Sequence, residues 1–90
     1  MYSRPDSVLA RVIITPKRGV LDPQGKAIAS SLHALGFGEV EDVRMGKLLE
    51  IRLAEGADAA TSERRVREMC ERLLANGVIE DFRFELVAHP

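Results

Sequence analysis

The sequence predicts an α+β fold, and three observations carry that expectation. Short runs of alternating apolar and polar residues, the signature of half-buried strands, recur along the chain. Two longer runs carry apolar residues at helical spacing and end at glycine. Ninety residues suffice for one domain and fall short of a second hydrophobic core.

The first strand is read over Leu9 to Thr15. Ala10, Val12 and Ile14 share one face, while Arg11, Ile13 and Thr15 share the other. The residues before it, 1–8, are polar, carry Pro5 and read as a flexible N-terminal tail to a single domain spanning 9–90. After the strand comes a loop with Lys17, Arg18 and Gly19. Asp22 then stands as a helix N-cap, with Pro23 at the first helical position, where its missing N–H costs nothing. Ile28, Leu32 and Leu35 follow at i, i+4 and i+7, and Gly36 stops the helix as a left-handed cap.

Glu39 to Met45 and Lys47 to Ala54 read as two strands joined in a hairpin at Gly46. In the second, Leu49, Ile51 and Leu53 alternate against Leu48, Glu50 and Arg52. A second helix is expected from about Asp58 to Ala75, with Val66, Met69, Cys70, Leu73 and Leu74 as its apolar stripe. Glu63–Arg67 and Glu68–Arg72 are i,i+4 pairs in the favourable order. A last strand runs from Ile79 to Val87, placing Phe82, Phe84 and Leu86 on one face. The order β-α-β-β-α-β is that of a ferredoxin-like domain: four antiparallel strands in spatial order 4-1-3-2, with two helices on one face. The other sheet face would carry Arg11, Ile13, Thr15, Leu48, Glu50, Arg52, Arg83, Glu85 and Val87. That mixture is too apolar for water alone and points to an oligomer packing on it or pairing edge strands.

Composition bounds the function. Thirteen basic against fourteen acidic side chains leave a net charge of −1, so no whole-molecule field draws the chain to nucleic acid or an anionic membrane. The strands over 9–15 and 47–54 lack the aromatics on which an RNA-binding module stacks bases. A single cysteine cannot form an internal disulfide, which suits a reducing, cytoplasmic setting. No apolar run approaches the roughly 20 residues needed to span a bilayer.

The stretch from Gly19 to Ala27 resembles a phosphate-binding loop at first sight, but its spacing fails. Five residues separate Gly19 from Gly25 where the P-loop has four, and Ala27 replaces the hydroxyl that would meet magnesium. A capped helix start explains most of these residues. A helix N-terminus flanked by Lys17, Arg18 and Lys26 still has the charge to meet a small anion or a partner's carboxylate. Cys70 lies mid-helix on the apolar stripe with no base nearby, so it reads as an inert buried thiol. His33 reads as a solvated side chain and His89 as part of the terminal segment; with one cysteine they make no zinc site. The carboxylates show no isolated acid–base pair, and no catalytic residue is assigned.

Several blocks together resemble the PurS family. They are Gly19-Val20-Leu21-Asp22-Pro23-Gln24-Gly25-Lys26-Ala27, Leu32-His33-Ala34-Leu35-Gly36-Phe37, Val43-Arg44-Met45-Gly46-Lys47, Met69 to Asn76, and Val78-Ile79-Glu80-Asp81-Phe82. PurS is the small subunit of phosphoribosylformylglycinamidine (FGAM) synthase in de novo purine synthesis. The resemblance implies a non-catalytic subunit that dimerises and bridges a glutaminase, PurQ, and a large synthetase, PurL, assisting ammonia transfer between them. It implies that ATP and magnesium sit on PurL and that this chain binds no cofactor or metal. The expected contact residues are Lys17, Arg18, Gly19, Asp22, Pro23, Gln24, Gly25 and Lys26 at the first helix, with Arg44, Met45, Gly46 and Lys47 at the expected hairpin. The alternative reading is a stand-alone anion-binding regulatory domain at the same helix start.

Overall fold

The computed structural model describes residues 7–54 and 58–89. Its elements are strand β1 (Ser7–Pro16), helix α1 (Pro23–Ala34), strand β2 (Lys47–Leu53), helix α2 (Ala59–Met69) continued by a π-helical turn (Cys70–Leu74), and strand β3 (Glu80–His89). The fold is α+β with two helices and an antiparallel sheet. β1 begins two residues before the expected Leu9, and the remainder of the expected tail, 1–6, lies outside the described residues.

β1 is the central strand of a three-stranded sheet in the order β2-β1-β3. Both pairings are antiparallel, with Val12 opposite Leu49 and Phe84, and Ala10 opposite Ile51 and Leu86. These rows form the apolar face predicted from alternation. Ala10, Val12 and Ile14 are buried against Val66 and Cys70 of the second helical segment, with Phe82, Phe84 and Leu86 packed alongside. Arg67 lies over the Phe84 ring at 5.2 Å, closing the rim of that contact. On the opposite face Arg11 pairs with Glu50 at 3.2 Å and with Glu85 at 3.7 Å, a charged row across all three strands.

The second of the four expected strands, Glu39 to Met45, is absent from the sheet. The three strands present match the expected order 4-1-3-2 with its last member missing, so the outer edge of β2 is unpaired among the described residues. The reason is that the backbone of 39–45 is engaged by α1. His33 Nε2 donates to the Val40 carbonyl at 2.6 Å, and the Asp22 carboxylate accepts the Met45 amide at 2.8 Å. The Val43 carbonyl faces Gly25 closely enough that a Cβ there would collide with it. His33 is exposed, as its position on the polar side indicates, and its ring also ties the helix to the returning chain. The segment runs back along the helix.

The expected hairpin at Gly46 is likewise absent. Gly46 sits where a Cβ would strike the Ile14 carbonyl, so glycine is required there for backbone approach to β1. Nor do both helices cover the sheet. α1 contributes no residue to the core cluster, and Ile28, Leu35 and Phe37 are 38%, 73% and 47% exposed. Helix α1 and its return segment thus form an arm beside a body of sheet and α2. The radius of gyration, 16.9 Å, exceeds the roughly 12 Å of a compact chain this long.

Both helices start as the sequence indicates. Asp22 caps α1 through Gly25 N–H, and Asp58 caps α2 through Thr61 N–H at 2.7 Å. At the far end of α1, Gly36 takes φ +101°, while Gly36 and Phe37 donate to the His33 and Leu32 carbonyls in a Schellman motif. The second helix departs from expectation in its last turn. The Ala75 amide bonds to the Cys70 carbonyl five residues back, and this wider turn shifts the inward register. Ala75 is buried, Leu74 half-buried, and Leu73 is turned out at 83% exposure.

Candidate functional site

The root of the arm brings together most of the residues singled out at the start of α1. Pro16 ends β1, and Gly19, at φ +82°, turns the chain toward the helix. Asp22 then reaches in two directions. One carboxylate oxygen accepts Gly25 N–H at 3.0 Å, while the other accepts Met45 N–H at 2.8 Å. These two amides, in that order of weight, hold the Asp22 carboxyl below the usual aspartate range. The carboxylate also lies against the positive end of the helix dipole. The amide that a phosphate would seek there already has its anion.

Around this clamp lies an open depression of about 250 Å³, lined by Lys17, Arg18, Asp22, Lys26, Asp42 and Arg44 among others. Its cations differ in how far they are committed. Lys17 pairs with Asp81 at 2.6 Å, and its backbone N–H donates to the Ile79 carbonyl, fastening the loop to β3. Arg44 donates to the Pro16 carbonyl at 3.1 Å and so closes the return segment onto the end of β1. Arg18 and Lys26 line the same depression and are exposed. Four basic groups against two acids leave the rim positively charged.

The remaining expected contact residues are placed less uniformly. Pro23 and Gln24 are exposed on the first turn of α1, whereas Gly25 is buried beneath the Val43 carbonyl. Met45 is exposed beside the clamp, and Lys47 opens β2 and pairs with Glu80 at 3.7 Å. The two sequence clusters therefore meet at one place, the arm's root, although the hairpin expected to carry the second does not form. Asp42, Glu80 and Asp81 complete the electrostatics there. No local spacing marks Glu80 and Asp81 as partners of cations, because Lys47 and Lys17, with which they pair, lie far along the chain.

The remaining candidates for chemistry are quiet. Cys70 is buried, and burial pushes its thiol up from the ordinary value, which is the opposite of what a nucleophile needs. Among the described residues no group of three or more His, Cys, Asp or Glu side chains could hold a metal ion, and no helix is long and apolar enough to cross a membrane.

Comparison with known proteins covers the same span as this geometry. The family model described as PurS, phosphoribosylformylglycinamidine (FGAM) synthase, matches residues 9–88. The phosphoribosylformylglycinamidine synthase subunit PurS of Bacillus subtilis is 47% identical over 76 residues, which is 84% of this chain and 88% of that protein. Thermus thermophilus PurS superposes with a TM-score of 0.80 at 39% identity, covering 93% of this chain and 99% of the other. A chain of the PurLQS structure from Thermotoga maritima superposes with a TM-score of 0.75 at 25% identity, covering 89% and 98%.

Proposed function

The chain belongs to the PurS family of FGAM synthase subunits, and from that premise we propose that it serves as the docking and bridging subunit of the complex. As a PurS, it is a subunit of a glutamine-dependent ligase of purine biosynthesis and acts with PurL and PurQ. The observation that carries the reading is the family match across residues 9–88. The Thermotoga relative, whose structure is of PurLQS, supports the same assembly here.

In this assembly the chemistry belongs to the partners. PurQ releases ammonia from glutamine. PurL, with ATP and magnesium, joins it to formylglycinamide ribonucleotide to give the amidine. The present chain binds neither cofactor and acts in the cytoplasm as a homodimer that holds the two enzymes together and assists ammonia transfer. The raised pKa and burial of Cys70 fit a subunit with no nucleophile of its own. Its contact surface is the root of the arm, where Arg18 and Lys26 face outward around Asp22 and would meet carboxylates on a partner. Asp22 already occupies the helix start, which favours a protein contact over a small-anion site.

Reconstitution tests the reading. The purified chain should show no amidotransferase activity alone, yet restore glutamine-dependent FGAM synthesis when mixed with PurL and PurQ. If the mixture stays inactive while PurL still works with added ammonia and PurQ still hydrolyses glutamine, the proposal fails.

A further inference from the structure

The end of the sheet where β1 stops and β3 begins gathers apolar side chains that the core does not take. Leu21 in the loop before α1, Leu73 on the π turn and Val78 in the turn before β3 each expose three-quarters or more of their surface, and Ile79 is exposed beside them. A regular α-helix would keep Leu73 on the inward stripe with Val66 and Cys70. The wider turn seats Ala75 there instead and sends Leu73 out. Single exposed leucines are ordinary on a protein surface, but several collected at one end of a sheet mark a contact.

These side chains stand on fixed backbone. Asn76 N–H donates to Glu80 Oε1 at 2.8 Å, its side-chain oxygen accepts Val78 N–H at 3.1 Å, and its carbonyl accepts the Glu80 amide at 2.7 Å. The Lys17 amide, on the Ile79 carbonyl at 2.9 Å, joins this turn to the loop that leads to Leu21. A surface ordered before contact loses little conformational freedom on binding. Beside the turn lies a groove of about 320 Å³, with Cys70, Ala75 and Phe82 among its lining residues. Lys17 borders both this groove and the depression at the arm's root, so the two are continuous.

Charge selects the occupant. The root's rim is positive, with Lys17, Arg18, Lys26 and Arg44 against Asp22 and Asp42. A second copy paired through this surface brings another positive rim, whereas a partner that sets acids beside an apolar centre complements it. We infer that Leu21, Leu73 and Val78 form the apolar centre of a docking surface whose rim is Arg18 and Lys26. One partner enzyme, the one of PurL and PurQ that meets those cations, covers both and seats an apolar side chain in the groove beside Lys17. An apolar centre inside a polar rim is the usual anatomy of a protein contact, with most of the binding energy at the centre. This rests on the bridging role proposed above and names the side chains that make the grip.

Two measurements on the full-length chain test it. In pull-downs with PurL and with PurQ, Leu73→Ser with Val78→Ser should weaken capture about tenfold or more, with the melting temperature unchanged. The enzyme lost should be the one that Arg18→Glu with Lys26→Glu also loses. Capture that persists, or loss of the other enzyme alone, overturns the inference. Dissociation of the chain's own oligomer by the two serines, read by light scattering with capture intact, makes a second copy the occupant and overturns it too. An unaltered chain that captures neither enzyme overturns the bridging role itself. The second measurement reads the surface directly. In a Val78→Cys variant the introduced thiol should react readily with a maleimide in the free chain, since position 78 is exposed and Cys70 is buried. Mixing with PurL and PurQ should slow that labelling about tenfold or more; equal rates with and without the enzymes overturn the inference.

Discussion

The Asp22 carboxylate accepts the backbone amide of Met45 at 2.8 Å across 23 residues of chain, while its other oxygen caps the helix that begins beside it. One side chain thus starts α1 and anchors the segment that returns from it. Asp22→Ala removes both bonds and is expected to lower the melting temperature by about 5 °C or more. Asn offers one acceptor oxygen to two amides, so Asp22→Asn should fall between the wild type and Asp22→Ala. Thermal melts by circular dichroism check the order; equal melting temperatures for Asn and Asp would show that only one bond matters.

Asp22 and Asp58 also make the fold acid-sensitive. The Gly25 and Met45 amides hold Asp22 below the ordinary 3.8, and the Thr61 amide and hydroxyl do the same for Asp58. With folded-state pKa values lowered, the unfolded chain binds more protons as pH falls. Their stabilisation is therefore present above about pH 4 and is lost as pH drops through the lowered values. Urea midpoints measured from pH 6 to pH 2 should fall, and the decline should be shallower in the Asp22→Asn, Asp58→Asn double variant.

Four of the cations at the arm's root should separate by function. Arg18→Glu with Lys26→Glu is expected to cut capture of the chain by PurL and PurQ at least tenfold in a pull-down, with the melting temperature unchanged. Lys17→Glu and Lys47→Glu meet Asp81 and Glu80 within the chain. Each of these should cost about 0.5 kcal/mol of stability as well, the ordinary scale for exposed pairs. Normal capture of the Arg18, Lys26 double variant would move the docking surface elsewhere.

The π turn gives two apolar residues on one helical segment opposite fates. Val66 is fully buried and Leu73 is 83% exposed. Val66→Ala should cost about 2 kcal/mol in denaturant unfolding, from lost transfer energy and the cavity left behind. Leu73→Ala should cost less than about 0.5 kcal/mol. A uniform α-helix would make the two losses similar.

Local chemistry explains why much of the fold can be read from the residues. Asp22, Pro23 and Gly36 bound α1 through their own backbone preferences, and the alternations in β1, β2 and β3 predict the buried rows because strand period needs no partner to be visible. What failed was whatever depends on distant groups. Val40, Val43 and Met45 look like part of a strand by composition, yet His33, Gly25 and Asp22 meet their backbone, and nothing in 39–45 itself announces that. The outward turn of Leu73 follows from one shifted hydrogen bond, to which side-chain periodicity is blind. At the candidate site, the basic residues and the cap were legible, while their acidic counterparts on β3 were not, since 64 residues separate Lys17 from Asp81. The family resemblance rested on whole blocks and so survived these local errors.

The register of β1 has a bearing on how the molecule is assembled in time. Val12 must find Leu49 and Phe84, far along the chain, before the sheet exists, and such distant closures are slow. The arm, by contrast, is knit by shorter contacts, from Asp22 to Met45 across 23 residues and from Pro16 to Arg44 across 28. It is expected to gain hydrogen-exchange protection first in a pulse-labelling refolding experiment, while β1 is still exchanging.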